Sequence, residues 1–128
     1  MNIITQLLRK VYQKVLKKSQ KEKFKESGLE IQYERQLKET HVRYKKQYQI
    51  GRCHVDFYLP DINTVVEING CYAHCCQFCG FNTESYGIPA DEKRMRDRAR
   101  YSFLRSQGYN LMIIWQHQMF GHKTKGAQ

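Results

Sequence analysis

The chain has 128 residues, 41% of them hydrophobic, and a formal net charge of +10. That length allows one modest core and therefore favours a single domain. There is no run of about 18 or more apolar residues that could span a membrane, and the N-terminus lacks the apolar core and cleavage site of a secretory signal. We therefore expect an intracellular protein without a membrane partner. Lys and Arg number 22 against 12 acidic residues, which favours a polyanionic partner such as nucleic acid.

The N-terminal part of the chain predicts two helices. Residues 2 to about 18 place apolar side chains on one helical stripe and basic side chains elsewhere on the wheel, which indicates a basic amphipathic helix. A charged connector follows, and then Ser27 and Glu30 have the spacing of a capping box that opens a second helix. We expect the second helix to bury its apolar side chains: Ile31, Tyr33 and Leu37.

The middle and end of the chain predict a sheet. The stretch VRYKKQYQIGRCHVDFYLP alternates, is rich in β-branched and aromatic residues and breaks at Gly51, which indicates two strands joined by a turn. A second turn from Pro60 to Asn63 precedes the apolar strand TVVEI, whose composition suits the interior of a sheet. After the loop GFNTESYGIPA, a helix is expected from Asp91 to Gly108, and then the final strand YNLMIIW. The fold class expected is therefore α/β or α+β.

Four of the five cysteines lie between residues 71 and 79, and His74 lies among them. Thiols this closely spaced pair poorly as disulfides but converge well on one cation, and a reducing compartment keeps them as thiols. The cluster therefore predicts a metal site, and zinc is the leading ion.

Asp56 and Glu67 each interrupt an apolar run, in the adjacent predicted strands HVDFYL and VVEIN. A carboxylate in an interior strand is costly to bury unless it is paired or binds a cation, so the two residues predict a site for a hard metal ion. In the other interpretation, alternation turns one or both side chains to solvent. An Asp followed later by Glu-x-Lys is the nuclease pattern in which carboxylates hold Mg²⁺, and here Asn69 stands in the place of the Lys.

Two long stretches carry a distinctive set of motifs. They are VRYKKQYQIGRCHVDFYLPDINTVVEINGCYAHC and RMRDRARYSFLRSQGYNLMIIWQHQ. Over roughly residues 27 to 119 the chain resembles the very short patch repair endonucleases and their relatives in the PD-(D/E)XK superfamily, among them homing endonucleases with a Glu-Asp-x-His-Asp active site. The resemblance implies a Mg²⁺-dependent DNA endonuclease with a restriction-endonuclease-like fold, a mixed sheet flanked by helices and a structural zinc site.

The domain organisation follows from the same resemblance. Residues 27–120 would form the endonuclease domain, residues 1–26 a basic N-terminal helix with its connector, and residues 121–128 a flexible tail. The alternatives are a catalytically silent zinc domain that binds DNA or RNA, and a catalytic module that belongs to a larger homing enzyme or to a polymerase-associated nuclease.

Carried over residue by residue, the resemblance implies roles for the acidic residues and for one histidine. Asp56 would be the central metal-binding carboxylate, His74 the general base or acid, and Asp97 the residue that orients His74. Glu67 would match the second metal-binding carboxylate of the wider superfamily. Glu30 would be a supporting carboxylate, or else would only cap its own helix. Two other residues are rivals for that supporting role: Glu22 and Glu34.

The zinc ligands also follow from the resemblance. Three cysteines have the spacing Cys-x4-Cys-x2-Cys: Cys71, Cys76 and Cys79. In the resembled enzymes the fourth ligand follows the Trp of the final strand, where this chain has His117. The alternative fourth ligand, His74, would be lost to proton transfer if it bound zinc. An ion that ties two distant elements together stabilises a small domain more, which favours His117. Cys53 and Cys75 would then be ordinary thiols.

DNA is the expected partner. On the late helix, Asp97 lies on an inward-facing stripe with Tyr101 and Leu104, so the neighbouring arginines would face phosphates or form solvated salt bridges. The residues expected to contact DNA are Tyr72, Arg94, Arg98, Lys45 and Lys46, and Arg105 is a further candidate. Ala73 replaces an aromatic residue of the repair enzyme just before the catalytic histidine. We therefore expect nuclease chemistry rather than mismatch repair.

Overall fold

The computed structural model describes residues 28–120 together with residues 3, 6, 7, 9 and 10. These five N-terminal residues are helical, in agreement with the amphipathic helix predicted there, and Leu7 packs against the core. The remainder of that predicted helix, the connector and residues 121–128 lie outside the described residues, as do Glu22 and Ser27. No helix of the described part is long and apolar enough to cross a membrane.

Within residues 28–120, the described part of the chain contains three α-helices and six strands. Helix α1 spans Leu29–Thr40, strands β1 and β2 span Lys45–Ile50 and Cys53–Leu59, a 3-10 turn spans Pro60–Ile62, β3 spans Thr64–Asn69, β4 and β5 span Glu84–Ser85 and Ile88–Pro89, α2 spans Ala90–Ser106, β6 spans Asn110–Trp115, and α3 spans Gln116–Phe120. The hairpin, the interior strand and the final strand are confirmed at the positions predicted. The late helix is confirmed within a residue or two at each end.

The main sheet is mixed, as expected. Its strand order is β1-β2-β3-β6; the first two pairings are antiparallel, and β3 pairs with β6 in parallel. All six residues of β3 are buried. On one face Val66 packs in a cluster with Tyr33 and Leu37 of α1, and on the other Val65 packs with Leu104 of α2. The apolar composition of β3 follows from this position, because helices cover the strand on both faces.

Helix α1 departs from the prediction on its buried face. Its N-cap is Gly28, which makes no side-chain capping hydrogen bond. Ser27, the predicted capping residue, lies outside the described residues, so the capping box stays a prediction. Tyr33 and Leu37 are buried as predicted, but Ile31 is 58% exposed and Gln36 is buried instead. The burial prediction was therefore wrong for Ile31, because the buried face of α1 follows the spacing of positions 33, 36 and 37.

Three short elements were absent from the prediction. The stretch predicted as a loop contains the short antiparallel pair β4 and β5, and a short helix, α3, follows β6 directly. Strands of two residues carry too little alternation for a sequence pattern to reveal them. Nevertheless, all three elements matter for the site, because they hold the residues on either side of the cysteine cluster.

The buried hydroxyl of Tyr33 gives a prediction about stability. Tyr33 is fully buried, and its hydroxyl has no hydrogen-bond partner among the described residues, so burial raises its pKa. Because an unpaired buried hydroxyl has lost its hydration without compensation, Tyr33→Phe should leave the free energy of unfolding unchanged or raise it by about 1 kcal/mol, measured by denaturant titration.

Tyr44→Phe is the matched control. The Tyr44 hydroxyl donates to Glu34 Oε2 at 2.8 Å, so its removal should lower stability. If Tyr33→Phe instead lowered stability as much as the control, the Tyr33 hydroxyl would have a bonding partner in solution.

Candidate functional site

Three cysteines and one histidine converge on one point beside the end of the sheet: Cys71, Cys76, Cys79 and His117. Their sulfur atoms lie 3.3, 3.6 and 3.5 Å from His117 Nδ1, respectively. With Zn–S and Zn–N bonds of about 2.3 and 2.0 Å, tetrahedral coordination separates these atoms by roughly 3.5 Å. The cluster therefore has the donor set and the spacing to hold a metal ion such as zinc.

The parallel pairing of β3 with β6 builds this cluster. Asn69 and Trp115 are the last paired residues of the two strands. Cys71 and His117 each lie two residues beyond this pair, so they meet at the same end of the sheet. The Gln116 side chain holds the two segments together, because its Oε1 accepts a hydrogen bond from the Cys71 amide at 3.0 Å. Among the described residues, the predicted set with His117 is the one brought together, and His74 is not part of it.

His74 instead pairs with Asp97 of α2. His74 Nδ1 lies 2.9 Å from Asp97 Oδ2, and Lys93 Nζ lies 3.1 Å from Asp97 Oδ1. Burial opposes ionisation of Asp97, but the contacts with His74 and Lys93 outweigh it and hold its pKa below the usual value. Asp97 is thus an ionised partner that orients the His74 ring, which is the arrangement expected of a proton-transfer histidine.

An open cleft of about 190 Å³ lies at this pair. Its lining includes His74, Asp97, Arg98, Tyr101 and Trp115. The His74 side chain is 26% exposed, so the imidazole is reachable from solvent while Asp97 is largely covered. The cleft therefore offers an oriented histidine and an arginine to a ligand that enters from outside.

Three acidic residues form the second part of the site: Glu30 of α1, Asp56 of β2 and Glu67 of β3. Asp56 Oδ2 accepts a hydrogen bond from the Ile68 amide at 2.7 Å, and Glu30 Oε2 accepts one from the Gln47 side chain at 2.9 Å. Burial raises the pKa of Asp56 to about 8; the Ile68 hydrogen bond opposes this rise, and the charges of Glu67 and Glu30 add to it. Burial and the neighbouring carboxylates together therefore disfavour the ionised form of Asp56.

A local irregularity in the hairpin directs Asp56 toward the other carboxylates. Val55 packs with the cluster on the α2 side of the sheet, whereas Phe57, two residues later, packs on the α1 side. Strict alternation would put both on one face, so β2 changes face at Asp56. Gln47, opposite this point, has a φ of 47° and interrupts the ladder between Lys46 and Tyr48. Sequence alternation alone could not reveal this change.

Sequence reasoning missed the partner of Glu67. Arg100 of α2 donates from Nη2 and Nε to Glu67 Oε1, at 2.6 and 3.1 Å. Burial raises the pKa of Glu67, and Arg100 opposes that rise. Asn69, at the position of the nuclease lysine, donates to the Tyr101 hydroxyl at 2.7 Å. Arg100 looks like any other arginine of a basic helix, so only the packing of α2 on β3 reveals its role.

These acidic residues have the oxygen ligands that a magnesium ion prefers, but they bring few of them close together. Mg²⁺ is commonly held by one or two carboxylates with water completing the shell, and Asp56 with Glu67 or Glu30 could supply those oxygens. A cation would also relieve the charge that burial disfavours at Asp56. Within the described ranges, however, only the Cys3His cluster brings three or more such ligand atoms within 4.8 Å of one another. An ion at the carboxylates would therefore depend on water for most of its ligands.

The basic residues expected to contact DNA fall into two groups. Arg98, Arg105, Lys45 and Lys46 are exposed. Lys46 pairs with Glu34 at 3.0 Å. The outward-facing position predicted for Arg94 is wrong, because its side chain is only 16% exposed. It donates to the carbonyls of Cys75 and Phe81 and so ties the cysteine loop to α2.

Tyr72 lies beside the short hairpin rather than in the cleft. Its hydroxyl donates to Glu84 Oε1 at 2.7 Å, and its ring meets that of Tyr86 edge-on at 5.1 Å. Tyr86 is 71% exposed. An exposed aromatic ring, that of Tyr86, therefore lies next to the predicted Tyr72, and no sequence pattern marks Tyr86 as a candidate.

Comparison with known proteins adds no assignment. No protein-family model matches the chain, and a search of curated protein sequences finds no match. The case for a function therefore depends on the residues and on the geometry described above.

The cluster of three cysteines and His117 predicts metal stoichiometry. Purified protein should carry one zinc ion per chain, and His117→Ala should lower both the zinc content and the melting temperature, because a structural site needs all four ligands. Metal analysis after gel filtration measures the first quantity and thermal melting the second. Cys75→Ser and His74→Ala are the controls and should keep the ion. Loss of zinc in His74→Ala with retention in His117→Ala would reverse the assignment.

The raised pKa of Asp56 predicts a pH-dependent cost in stability. Between the usual value of 3.8 and about 8, the unfolded chain releases the Asp56 proton while the folded chain keeps it, so stability falls as pH rises through this window. Asp56→Asn removes that cost and keeps an acceptor for the Ile68 amide. In buffer free of divalent cations, its melting temperature should exceed that of the wild type by a margin that grows from pH 5.5 to 8 and then levels. A margin independent of pH would contradict the raised pKa.

Proposed function

We propose that this domain is a nuclease that requires a divalent cation, of the PD-(D/E)XK type that resembles the very short patch repair endonucleases, and that it acts on DNA. One observation carries the proposal: a carboxylate cluster, in which Glu67 is buried and Asp56 and Glu30 are half-buried, lies beside an oriented histidine–aspartate pair at an open cleft. Glu67 is close enough to His74 for the histidine to influence its pKa. Hydrolysis of a phosphodiester needs both a means to neutralise phosphate charge and a group that moves a proton.

The roles proposed for the residues follow from their contacts. His74 would take a proton from the attacking water, and Asp97 would hold the ring with Nδ1 toward its own carboxylate. Asp56 would bind the cation with Glu67 or Glu30. A magnesium ion held there would supply the positive charge that stabilises the attacked phosphate. The Ile68 amide would keep the Asp56 carboxylate in place by the 2.7 Å hydrogen bond.

The choice of DNA as substrate is supported by charge and by position. The net charge of +10 favours a polyanion. Arg98 is exposed at the cleft, where it could contact a phosphate next to the one attacked. A metal ion in the cluster of cysteines and His117 would brace the loop that carries His74, since Cys71 and Cys76 flank that residue.

A silent nucleic-acid clamp is the second candidate, and the Arg100–Glu67 pair favours it. An ion pair that already neutralises one carboxylate reduces the demand for a cation. Such a clamp would bind nucleic acid equally in Mg²⁺ and in EDTA and would never cut it.

Two substitutions test the nuclease. Supercoiled plasmid incubated with the protein in Mg²⁺ or Mn²⁺ should be nicked or linearised, and His74→Ala should lower the rate by about 10²–10⁴-fold because the proton-transfer group is lost. Asp56→Ala should abolish cutting because the cation ligand is lost. Agarose gels score open-circular and linear products.

Matched controls are available on the same chain. Asp91→Asn changes a fully exposed carboxylate, and His41→Asn changes an exposed histidine at a left-handed position that Asn tolerates. Both should cut as the wild type does. Undiminished cutting by Asp56→Ala or His74→Ala would overturn the assignment. Intact plasmid together with a salt-sensitive gel shift that EDTA leaves unchanged would favour the clamp.

A further inference from the structure

Arg100 is held inside the carboxylate cluster by three hydrogen bonds. Two of them, from Nη2 and Nε, converge on Glu67 Oε1, and the third runs from Nη2 to the His54 carbonyl at 2.6 Å. The Arg100 side chain is 31% exposed, whereas that of Glu67 is only 9% exposed. The guanidinium therefore lies between a buried carboxylate and solvent and can be reached by a ligand from outside.

Arg100 supplies a positive charge that strand β3 does not provide. In the pattern Asp followed by Glu-x-Lys the strand supplies a cation two residues after the Glu, but here that residue is Asn69, which donates to Tyr101. A cation comes instead from α2, one turn of helix beyond Asp97. The cluster thus has a positive charge of its own at one of its three carboxylates before any metal ion arrives.

We propose that Arg100 is the resident cation of the carboxylate cluster: it occupies Glu67 until a divalent cation binds there, and its guanidinium then turns to a phosphate of the substrate. This proposal rests on the nuclease function proposed above. It assigns to Arg100 two effects of opposite sign, because the same charge that competes with the metal ion for Glu67 later stabilises the bound phosphate.

The chemistry of the guanidinium suits both positions. Arg pairs with carboxylates and with phosphates through the same planar set of donors, so exchange of one partner for the other needs no new group. The hydrogen bond to the His54 carbonyl anchors Nη2 independently of Glu67. A divalent cation at Glu67 would come close to a like charge that lies 2.6 Å from the same carboxylate, and such charges repel strongly at short range.

The test measures cation affinity and cutting separately. Mn²⁺ binding to Arg100→Gln is followed by the electron paramagnetic resonance signal of free Mn²⁺, with wild type and Asp56→Ala alongside. Removal of the competing charge should tighten Mn²⁺ binding by about tenfold. At saturating Mn²⁺ the same variant should nick plasmid more slowly, because the phosphate has lost its guanidinium. A merely structural role for Arg100 would weaken both.

Two variants on the same helix provide the comparison. Arg100→Lys keeps the charge and should stay near wild type in Mn²⁺ affinity. Arg96→Gln makes the same substitution at an exposed arginine that pairs with Glu92, and it should change neither quantity. Zinc content and thermal melting show whether each variant has folded.

A measurement on the wild type needs no substitution. Titration with Mg²⁺ should shift the nitrogen-15 NMR signal of the Arg100 Nε–H group, because that group loses its bond to Glu67. A signal that does not move at saturating Mg²⁺ would overturn the proposal, even if Arg100→Gln failed to fold.

The outcomes separate the two proposals. Mn²⁺ binding that depends on Asp56 but is equal or weaker in Arg100→Gln would overturn the role of Arg100 and leave the nuclease standing. Tighter binding with an unchanged nicking rate would overturn the transfer to phosphate. No Mn²⁺ binding in any variant, Arg100→Gln included, would overturn both the nuclease and the role of Arg100.

Discussion

The burial of a carboxylate in the central strand is the constraint on which the rest of the structure depends. Every residue of β3 is buried, and Glu67 is one of them. A buried charge must be paired, and the neighbourhood of Glu67 is organised for that purpose. Arg100 of α2 donates hydrogen bonds to Glu67. Strand β2 changes face at Asp56, which places that carboxylate near Glu67. The Ile68 amide donates to the Asp56 side chain and not to the backbone of β2. A strand whose only function was packing would need none of these arrangements.

The parallel pairing of β3 with β6 joins the carboxylate cluster to the cysteine cluster. It brings two chain segments far apart in sequence to a common end, where Cys71 and His117 meet. Arg94 then fastens the intervening loop to α2 through the Cys75 carbonyl, and the same helix presents Asp97 to His74. The position of His74 is thus fixed from both sides, by the cysteine cluster and by α2. The register of β3 with β6 therefore determines where both clusters lie.

The parts of the fold that could be predicted were those with a strong local pattern. Alternation marked the β1–β2 hairpin, an apolar run marked β3, and cysteine spacing marked the metal cluster. The missed parts depend on distant packing. The apolar side chain of Ile31 predicts a core position, yet the orientation of α1 exposes Ile31 and buries Gln36 instead. Arg100 carries no local signal at all. Its role exists only because α2 lies across the face of β3 that displays Glu67.

The outer edge of the sheet has a consequence of a different kind. Among the described residues, strand β1 ends the strand order, so its outer side presents backbone donors and acceptors that another chain could extend into a larger sheet. Two adjacent lysines and the left-handed Gln47 occupy this edge. The lysine charges repel the same edge of a second copy. The distorted backbone at Gln47 interrupts the regular row of hydrogen bonds that a further strand would need. The irregularity that positions Asp56 therefore also disfavours the pairing of a further strand with the β1 edge.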